Sequence, residues 1–403
     1  MTTARLAPAP ARTASAALLV TAILLLGLNL RGPIVAVSPV LDIIAADLHI
    51  GAATAGLLTS LPVLCFALAT PAASALLARA GLGRGVAVSL VVLLVGIVVR
   101  SLDGLPLALA GTVLIGVAIT VGNVAVPVVI ARDLPHRAGG VLGAYTAALN
   151  VGSMLTISLT APLAGHTGWR FAIAAWGVLV VGALVVWVYA MRRPVGRAAG
   201  PAPSAPDAQA GPRWWRRPVV WGLTVAFAGQ AFSYYGITAW LPLLLHDELG
   251  MDATTAGTAA SVFQIAALTG AFGVPVLLRV LPDPRAVVLI VAAGWATIPL
   301  GLLLAPQLWW VWSALGGAAQ GGGLVVIFAL VVRKARDLTE NRRMSALVQG
   351  GGYIVAATGP SVVGAVHEAT AGWTAPLLVV LGSITVLAVF GTAAAGGRDP
   401  RPA

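Results

Sequence analysis

The chain has 403 residues, 59% of them hydrophobic and only 9% charged, whereas soluble domains carry about 25% charged residues. A water-soluble fold is excluded, and the chain reads as a bilayer protein. The net charge of +11 would point to nucleic acid in a polar chain, but no polar stretch here is long enough to present a basic face, so the excess belongs to loops.

A bilayer core takes about 20 apolar residues per helix. In chain order the sequence gives twelve such spans, near residues 15–41, 54–78, 85–102, 106–131, 138–165, 169–191, 218–245, 254–280, 285–305, 307–332, 343–366 and 373–395. Arg5 and Arg12 ahead of the first apolar run imitate a secretory leader, yet eleven more spans follow, so the run is read as a span. With the N-terminus inside, 21 of the 24 basic residues fall in inner segments. Arg100 and Arg170 fall on the outer side, at span ends, and Arg31 lies within the first span. The outer loops carry acid instead: Asp42, Asp47, Asp103, Asp247, Glu248, Asp252 and Glu368. By the rule that Lys- and Arg-rich loops stay inside, both termini are expected in the cytoplasm of a multi-pass plasma-membrane protein.

Residues 192–217, RRPVGRAAGPAPSAPDAQAGPRWWRR, form a Pro/Ala/Gly linker without apolar periodicity. They divide the chain into an N-terminal bundle (1–191) and a C-terminal bundle (218–403). The halves echo each other. Ala131-Arg132-Asp133-Leu134 recurs 204 residues later as Ala335-Arg336-Asp337-Leu338, and Gly168-Trp169 recurs at the same offset as Gly372-Trp373. Pro39 and Pro242 are 203 apart, and Asp47-Leu48 with Thr54-Ala55-Gly56 recurs 201 later as Glu248-Leu249 with Thr255-Ala256-Gly257. Equal orientation of two six-span repeats implies an axis along the membrane normal, the plan of the major facilitator carriers. The expected fold is all-α, with twelve transmembrane helices in two pseudo-symmetric six-helix bundles.

Leu28-Asn29-Leu30-Arg31-Gly32-Pro33, followed by Thr54-Ala55-Gly56-Leu57-Leu58-Thr59-Ser60-Leu61-Pro62, resembles the cyanate and 2-nitroimidazole permease branch of the major facilitator superfamily. Gly351-Gly352-Tyr353, Gly359-Pro360 and His367-Glu368 are similar to the same branch. The resemblance implies a carrier of small anions or nitro-heterocycles. The superfamily's usual loop after the second span is altered here: Ala78-Arg79-Ala80-Gly81-Leu82-Gly83-Arg84 keeps the basic residues and lacks the usual Asp, so that loop's gating ion pair is not carried over.

Several chemistries are absent from the sequence. The single lysine, Lys334, precedes Ala335, so no GxxxxGK[ST] phosphate loop exists. His367-Glu368 lacks the second His of a zinc-protease helix, since position 371 is Ala. Cys65, the one cysteine, allows no intrachain disulfide or cysteine metal cluster. No enzyme, metal or cofactor is expected. The expected partners are a small solute and the lipid bilayer, with no nucleic acid, and the chain is expected to act as a monomer.

With these boundaries Arg31 is the one ionisable group deep in the hydrocarbon. Sixteen residues at ~1.5 Å rise put it about 24 Å into a core of about 30 Å, where a guanidinium costs at least ~2.5 kcal/mol. Such a residue either ties helices together through backbone carbonyls, snorkels along its stem, or faces a watery cavity. Pro33 crowds the carbonyl of Asn29 and cannot donate, and irregular backbone at this depth is tolerated mainly along a cavity or inside protein. The guanidinium's planar fork suits carboxylate-like oxygens.

The superfamily resemblance implies that spans one, four, seven and ten line the cavity. That ranks Asn29, Asn123, Gln230, Tyr234 and Gln320 as solute contacts beside Arg31, ahead of Asn150, Gln264, Gln349 and Tyr353. Trp240, Trp169, Trp309 and Trp373 read as membrane-interface anchors. Asp133 and Asp337, with Arg132 and Arg336, occupy equivalent inner loops and are candidates for ion pairs that close the cytoplasmic side when the carrier faces out. The leading reading is a secondary or facilitative carrier working by alternating access. Efflux of drug-like compounds is the alternative, and a membrane sensor or enzyme is less favoured because no catalytic constellation or output domain is present.

Overall fold

The computed structural model describes residues 10–134, 137–192 and 214–396. Most of the expected linker, residues 193–213, lies outside the described residues, as do Arg5, Arg398 and Arg401.

Seventeen α-helices follow one another in the described residues, with short 3-10 turns between some of them. In the N-terminal half they are α1 (Pro10–Asn29), α2 (Gly32–Val35), α3 (Leu41–Asp47), α4 (Ala52–Leu68), α5 (Thr70–Ala80), α6 (Leu82–Arg100), α7 (Leu105–Asp133), α8 (Ala138–Thr167), α9 (Trp169–Ala175) and α10 (Gly177–Arg192). The C-terminal half holds α11 (Pro218–Leu249), α12 (Ala253–Val280), α13 (Pro284–Leu304), α14 (Trp309–Lys334), α15 (Leu338–Ala356), α16 (Gly359–Thr370) and α17 (Thr374–Gly396). They compose twelve spans. The first is α1 to α3, broken at Arg31 and again at the 3-10 turn Ser38–Val40. The second is α4 with α5, bent by 61° at Ala69 just before Pro71. The sixth is α9 with α10, and the eleventh is α15 with α16, broken before Pro360.

Taken one at a time, nine of the described helices and helix runs are long and apolar enough to cross a bilayer, or ten with the bent α4/α5 pair. The two spans that fall short are the seventh and eleventh. Gln230, Ser233, Tyr234 and Tyr235 dilute the middle of α11, and Glu340, Asn341 and Arg343 the start of α15. Hydropathy measures fitness to face lipid, and α11 faces protein: Phe227, Gln230, Tyr234, Trp240 and Leu244 are all buried.

The pairing of helices repeats. In the first half α1 packs on α8 and α10, α6 on α7 and α10, and α4 on α7. In the second half α11 packs on α15 and α17, α13 on α14 and α17, and α12 on α14. Each pair recurs six spans later. The halves meet through α8 against α12, and through α4 against α15 and α16.

Without a hydrophobic drive between helices in lipid, close packing depends on small residues. Along the α12–α14 seam a Cβ on Gly270 would lie 1.6 Å from the Ala318 carbonyl oxygen, and one on Gly321 would lie 1.9 Å from that of Ala267. Backbone touches backbone there. At the acidic end of the molecule, Gly56 of α4 is pressed against Pro360 of α16, where a Cβ would meet the Pro360 carbonyl at 2.8 Å. Ser60 and Ser361 hydroxyls lie 3.3 Å apart across the same seam.

Candidate functional site

Arg31 sits where the first helix stops. Leu30 and Arg31 turn out of the helical ladder, Pro33 lacks an N–H, and α2 restarts from Gly32. The break is held against α8 by glycine on both sides. A Cβ on Gly152 would be 2.0 Å from the Leu28 carbonyl oxygen, and one on Gly32 would be 3.0 Å from the Thr156 methyl. That contact brings Asn150, on the same helix as Gly152, to the guanidinium: Arg31 Nη1 donates to Asn150 Oδ1 at 3.3 Å. Asn150 Nδ2 donates in turn to the Thr146 carbonyl at 3.1 Å, which orients the carboxamide.

Arg31 lines a central cavity of about 80 Å³ with Asn150, Gln230, Tyr234, Tyr235 and Gln320. One water needs roughly 10–15 Å³ of such space, so the cavity takes several waters or a solute of a few heavy atoms. The Arg31 Cζ lies 5.5 Å from the centroid of the Tyr234 ring, within the ~6 Å reach of a cation–π contact. Arg31 and Tyr234 are also 203 residues apart, the offset of Pro39 and Pro242, so the contact joins repeat-equivalent positions of the two halves. The wall is rich in rings: Tyr234 meets Tyr235 edge-on at 4.9 Å, and Phe227 meets Tyr353 at 5.2 Å. Among the described residues the side-chain amides of Gln230 and Gln320 have no hydrogen-bond partner, which leaves their donors and acceptors for a solute.

Arg31, Gln230, Tyr234 and Gln320 are therefore brought together, and two other candidates are not. Asn29 donates to the carbonyls of Leu25 at 2.8 Å and Leu179 at 3.2 Å, tying α1 to α10. It is two residues from Arg31, and positions two apart do not share a helix face. Asn123 is exposed on α7 and lies outside the cavity lining. Asn150, Tyr235 and Tyr353 take their place. Tyr235 adjoins Tyr234 in sequence, while nothing in the sequence alone aims Asn150 at Arg31.

A second arginine packs at the same break. Arg100, counted on the outer side, is 2% exposed, and its Nη1 donates to the Pro33 carbonyl at 2.7 Å. The end of α6 thus folds against the break, and the helix-tying role weighed for Arg31 belongs to Arg100. Trp240, Trp169 and Trp373 are likewise buried. Trp240 Nε1 donates to the Pro360 carbonyl at 2.7 Å and Trp373 Nε1 to Asp247 at 2.9 Å.

At the basic end the gate candidates are engaged within their own halves. Arg132 holds Asp133 with two bonds of 2.7 and 2.6 Å. Asp337 caps α15 by accepting from the Glu340 N–H at 2.7 Å. The Arg336 N–H donates to Glu340 Oε2 at 2.9 Å, and Arg217 forms an ion pair with Glu340 Oε1. Buried Glu340 was not singled out from sequence; its Asp-x-x-Glu spacing from Asp337 is the helix-start signal that marks it. Among the described residues no group of three or more His, Cys, Asp or Glu is placed to hold a metal.

Residues 17–312 match the Major Facilitator Superfamily. The chain is 32% identical over 385 residues to the uncharacterized transporter YycB of Bacillus subtilis (strain 168), covering 94% of each. It is 30% identical to the 2-nitroimidazole transporter of Escherichia coli (strain K12), covering 94% of this chain and 95% of that one. Identity to the cyanate transport protein CynX of the same organism is 27%, over 91% of this chain and 96% of that protein. Among solved structures, an inward-facing, unoccupied bacterial homolog of the human lysosomal transporter Spinster superposes with a TM-score of 0.71 at 16% identity, covering 96% of this chain and 98% of that chain.

Proposed function

The chain belongs to the Major Facilitator Superfamily and is a membrane transporter, and from that premise we propose that it carries small planar anions or nitro-heterocycles held at Arg31. One observation carries the reading: a guanidinium in a central cavity, bonded to a single neutral oxygen at 3.3 Å and facing unpartnered amides and tyrosine rings. A fixed cation of this kind attracts carboxylate-like or nitro oxygens through its fork. The ring-lined wall suits a flat solute by edge and face contacts. Gln230 and Gln320, on α11 and α14, supply the remaining donors. The sequence likeness to transporters named for 2-nitroimidazole and cyanate supports the same size and polarity.

In this reading the halves 1–191 and 218–403 rock about the cavity, both termini lie in the cytoplasm, and the membrane is the plasma membrane. Asp133, Arg132, Asp337 and Arg336 exchange their local partners for partners across the basic end when the carrier turns. The test is a thermal-stability screen of purified protein against cyanate, 2-nitroimidazole and benzoate, with Arg31→Ala beside it. A ligand that binds only the native state raises its stability by linkage. Stabilisation that disappears in Arg31→Ala is the expected result, and equal stabilisation in both proteins would remove the anion site.

A further inference from the structure

Arg31 enters the cavity without a carboxylate to answer it. Among the described residues its guanidinium makes one hydrogen bond, to the neutral Asn150 Oδ1, and the ionisable groups grouped around it are Tyr145, Tyr234, Tyr235 and Tyr353. Among the described residues every acid lies near one end of the molecule: Asp133, Asp283, Asp337 and Glu340 at the basic end, and the other seven at the acidic end.

A carrier that alternates has to close its cavity on both sides once in every crossing. With an anion aboard, the closed cavity contains opposite charges in contact. Closed empty, it strips water from a guanidinium that keeps one amide oxygen and a ring face, and an unpaired ion taken out of water is penalised heavily. The two crossings therefore differ in barrier, and each ~1.36 kcal/mol of barrier is tenfold in rate.

We propose that this transporter is an anion exchanger, in which the return crossing requires a second anion because the empty site cannot close cheaply over Arg31. This rests on the anion site proposed above. Three properties follow from the charge balance. Exchange of one anion for another runs much faster than net movement. Swapping two monoanions moves no net charge, so the rate ignores membrane potential. An uncharged isostere of the anion does not support the return crossing, since it leaves the guanidinium unanswered.

The experiment uses the full chain in proteoliposomes buffered with gluconate, with labelled benzoate and labelled cyanate as probes. Initial uptake into vesicles preloaded with unlabelled benzoate or cyanate is compared with uptake into vesicles holding none. The expected preloading advantage is about tenfold or more, unchanged by a valinomycin-set potassium potential and absent when benzamide replaces internal benzoate. Equal uptake with and without internal benzoate or cyanate overturns exchange while leaving the binding site intact, provided that benzoate or cyanate, and not gluconate, stabilises the wild-type protein and neither stabilises Arg31→Ala. If neither anion stabilises the wild type, the anion site and exchange fall together.

Asn150→Asp gives the argument a second measurement. It places a carboxylate where the Arg31 bond now ends, with little change of shape, and thermal melting shows whether the variant folds. The internal counter-ion should let the empty site close, raising net uptake toward the exchange rate and weakening anion binding. A folded Asn150→Asp protein that keeps the wild-type ratio of exchange to net uptake would overturn the unpaired charge as the cause.

Discussion

Arg31 and Arg100 are the same residue type, in the first and third spans of one half, close to the same break in the first span. Arg100 is 2% exposed and donates to the Pro33 carbonyl at 2.7 Å, whereas Arg31 keeps part of its surface in the cavity and reaches only a side-chain oxygen at 3.3 Å. The difference teaches where to look for function in a lipid-embedded chain. A charge that donates to backbone reads as part of the frame, and a charge left with a weak neutral partner in a space large enough for a solute marks a candidate site. Burial alone does not separate them, since a buried cation costs free energy in either place.

The largest expected effect that separates the two is Arg31→Ala. Losing one partner of a buried charge pair typically costs 2–5 kcal/mol of binding, so isothermal titration with benzoate or cyanate should show affinity falling about thirtyfold or more, with the unliganded melting temperature almost unchanged. Arg100→Leu should do the reverse. It orphans the Pro33 carbonyl, a loss of about 1–3 kcal/mol, so the melting temperature falls while the folded fraction still binds anion. A variant in which both readouts moved together would merge the two roles. Arg31→Lys is finer: the charge remains and the fork is lost, and binding should weaken about tenfold, since a charge-assisted hydrogen bond is worth ~1.5–3 kcal/mol.

The smallest effect is a control at the acidic end. The Asp252 carboxyl is held below its ordinary value of 3.8 first by the Thr255 hydroxyl and then by the backbone N–H groups of Thr255 and Thr254. A depressed carboxylate contributes stability that is complete above the unfolded value and lost as pH falls through the folded one. Melting of wild type and Asp252→Asn should therefore differ most at neutral pH and converge in strong acid.

Much of this was legible in the residues. The twelve spans, the repeat and the lone cation of the first span follow from apolar run length, recurring tetrads and the absence of nearby acid. Gln230, Tyr234 and Gln320 were reachable because the family resemblance implied which helices line the cavity. Knowing the helix does not give the face, and Asn29 and Asn123 show the limit: one sits on the opposite side of the turn from Arg31, the other on an exposed strip of α7. The packing of Arg100 was not legible, because a charge at the end of an apolar run shows which side it lies on and not what covers it. Only the tertiary fold shows α6 ending against the broken backbone beside Pro33. Nor does the sequence show that Trp169, Trp240 and Trp373 are buried, since that depends on how the ends of these helices pack on one another.

The glycine seam between α12 and α14 has a mechanical consequence. At Gly270 and Gly321 backbone lies on backbone with no side chain between to re-sort, so at those points the two helices have little room to slide. The ladder of the second half is interrupted within a span before Pro360, between α15 and α16, and that break is braced by Gly56 of α4 and the Trp240 Nε1–H. Any change of shape there has to release the brace first.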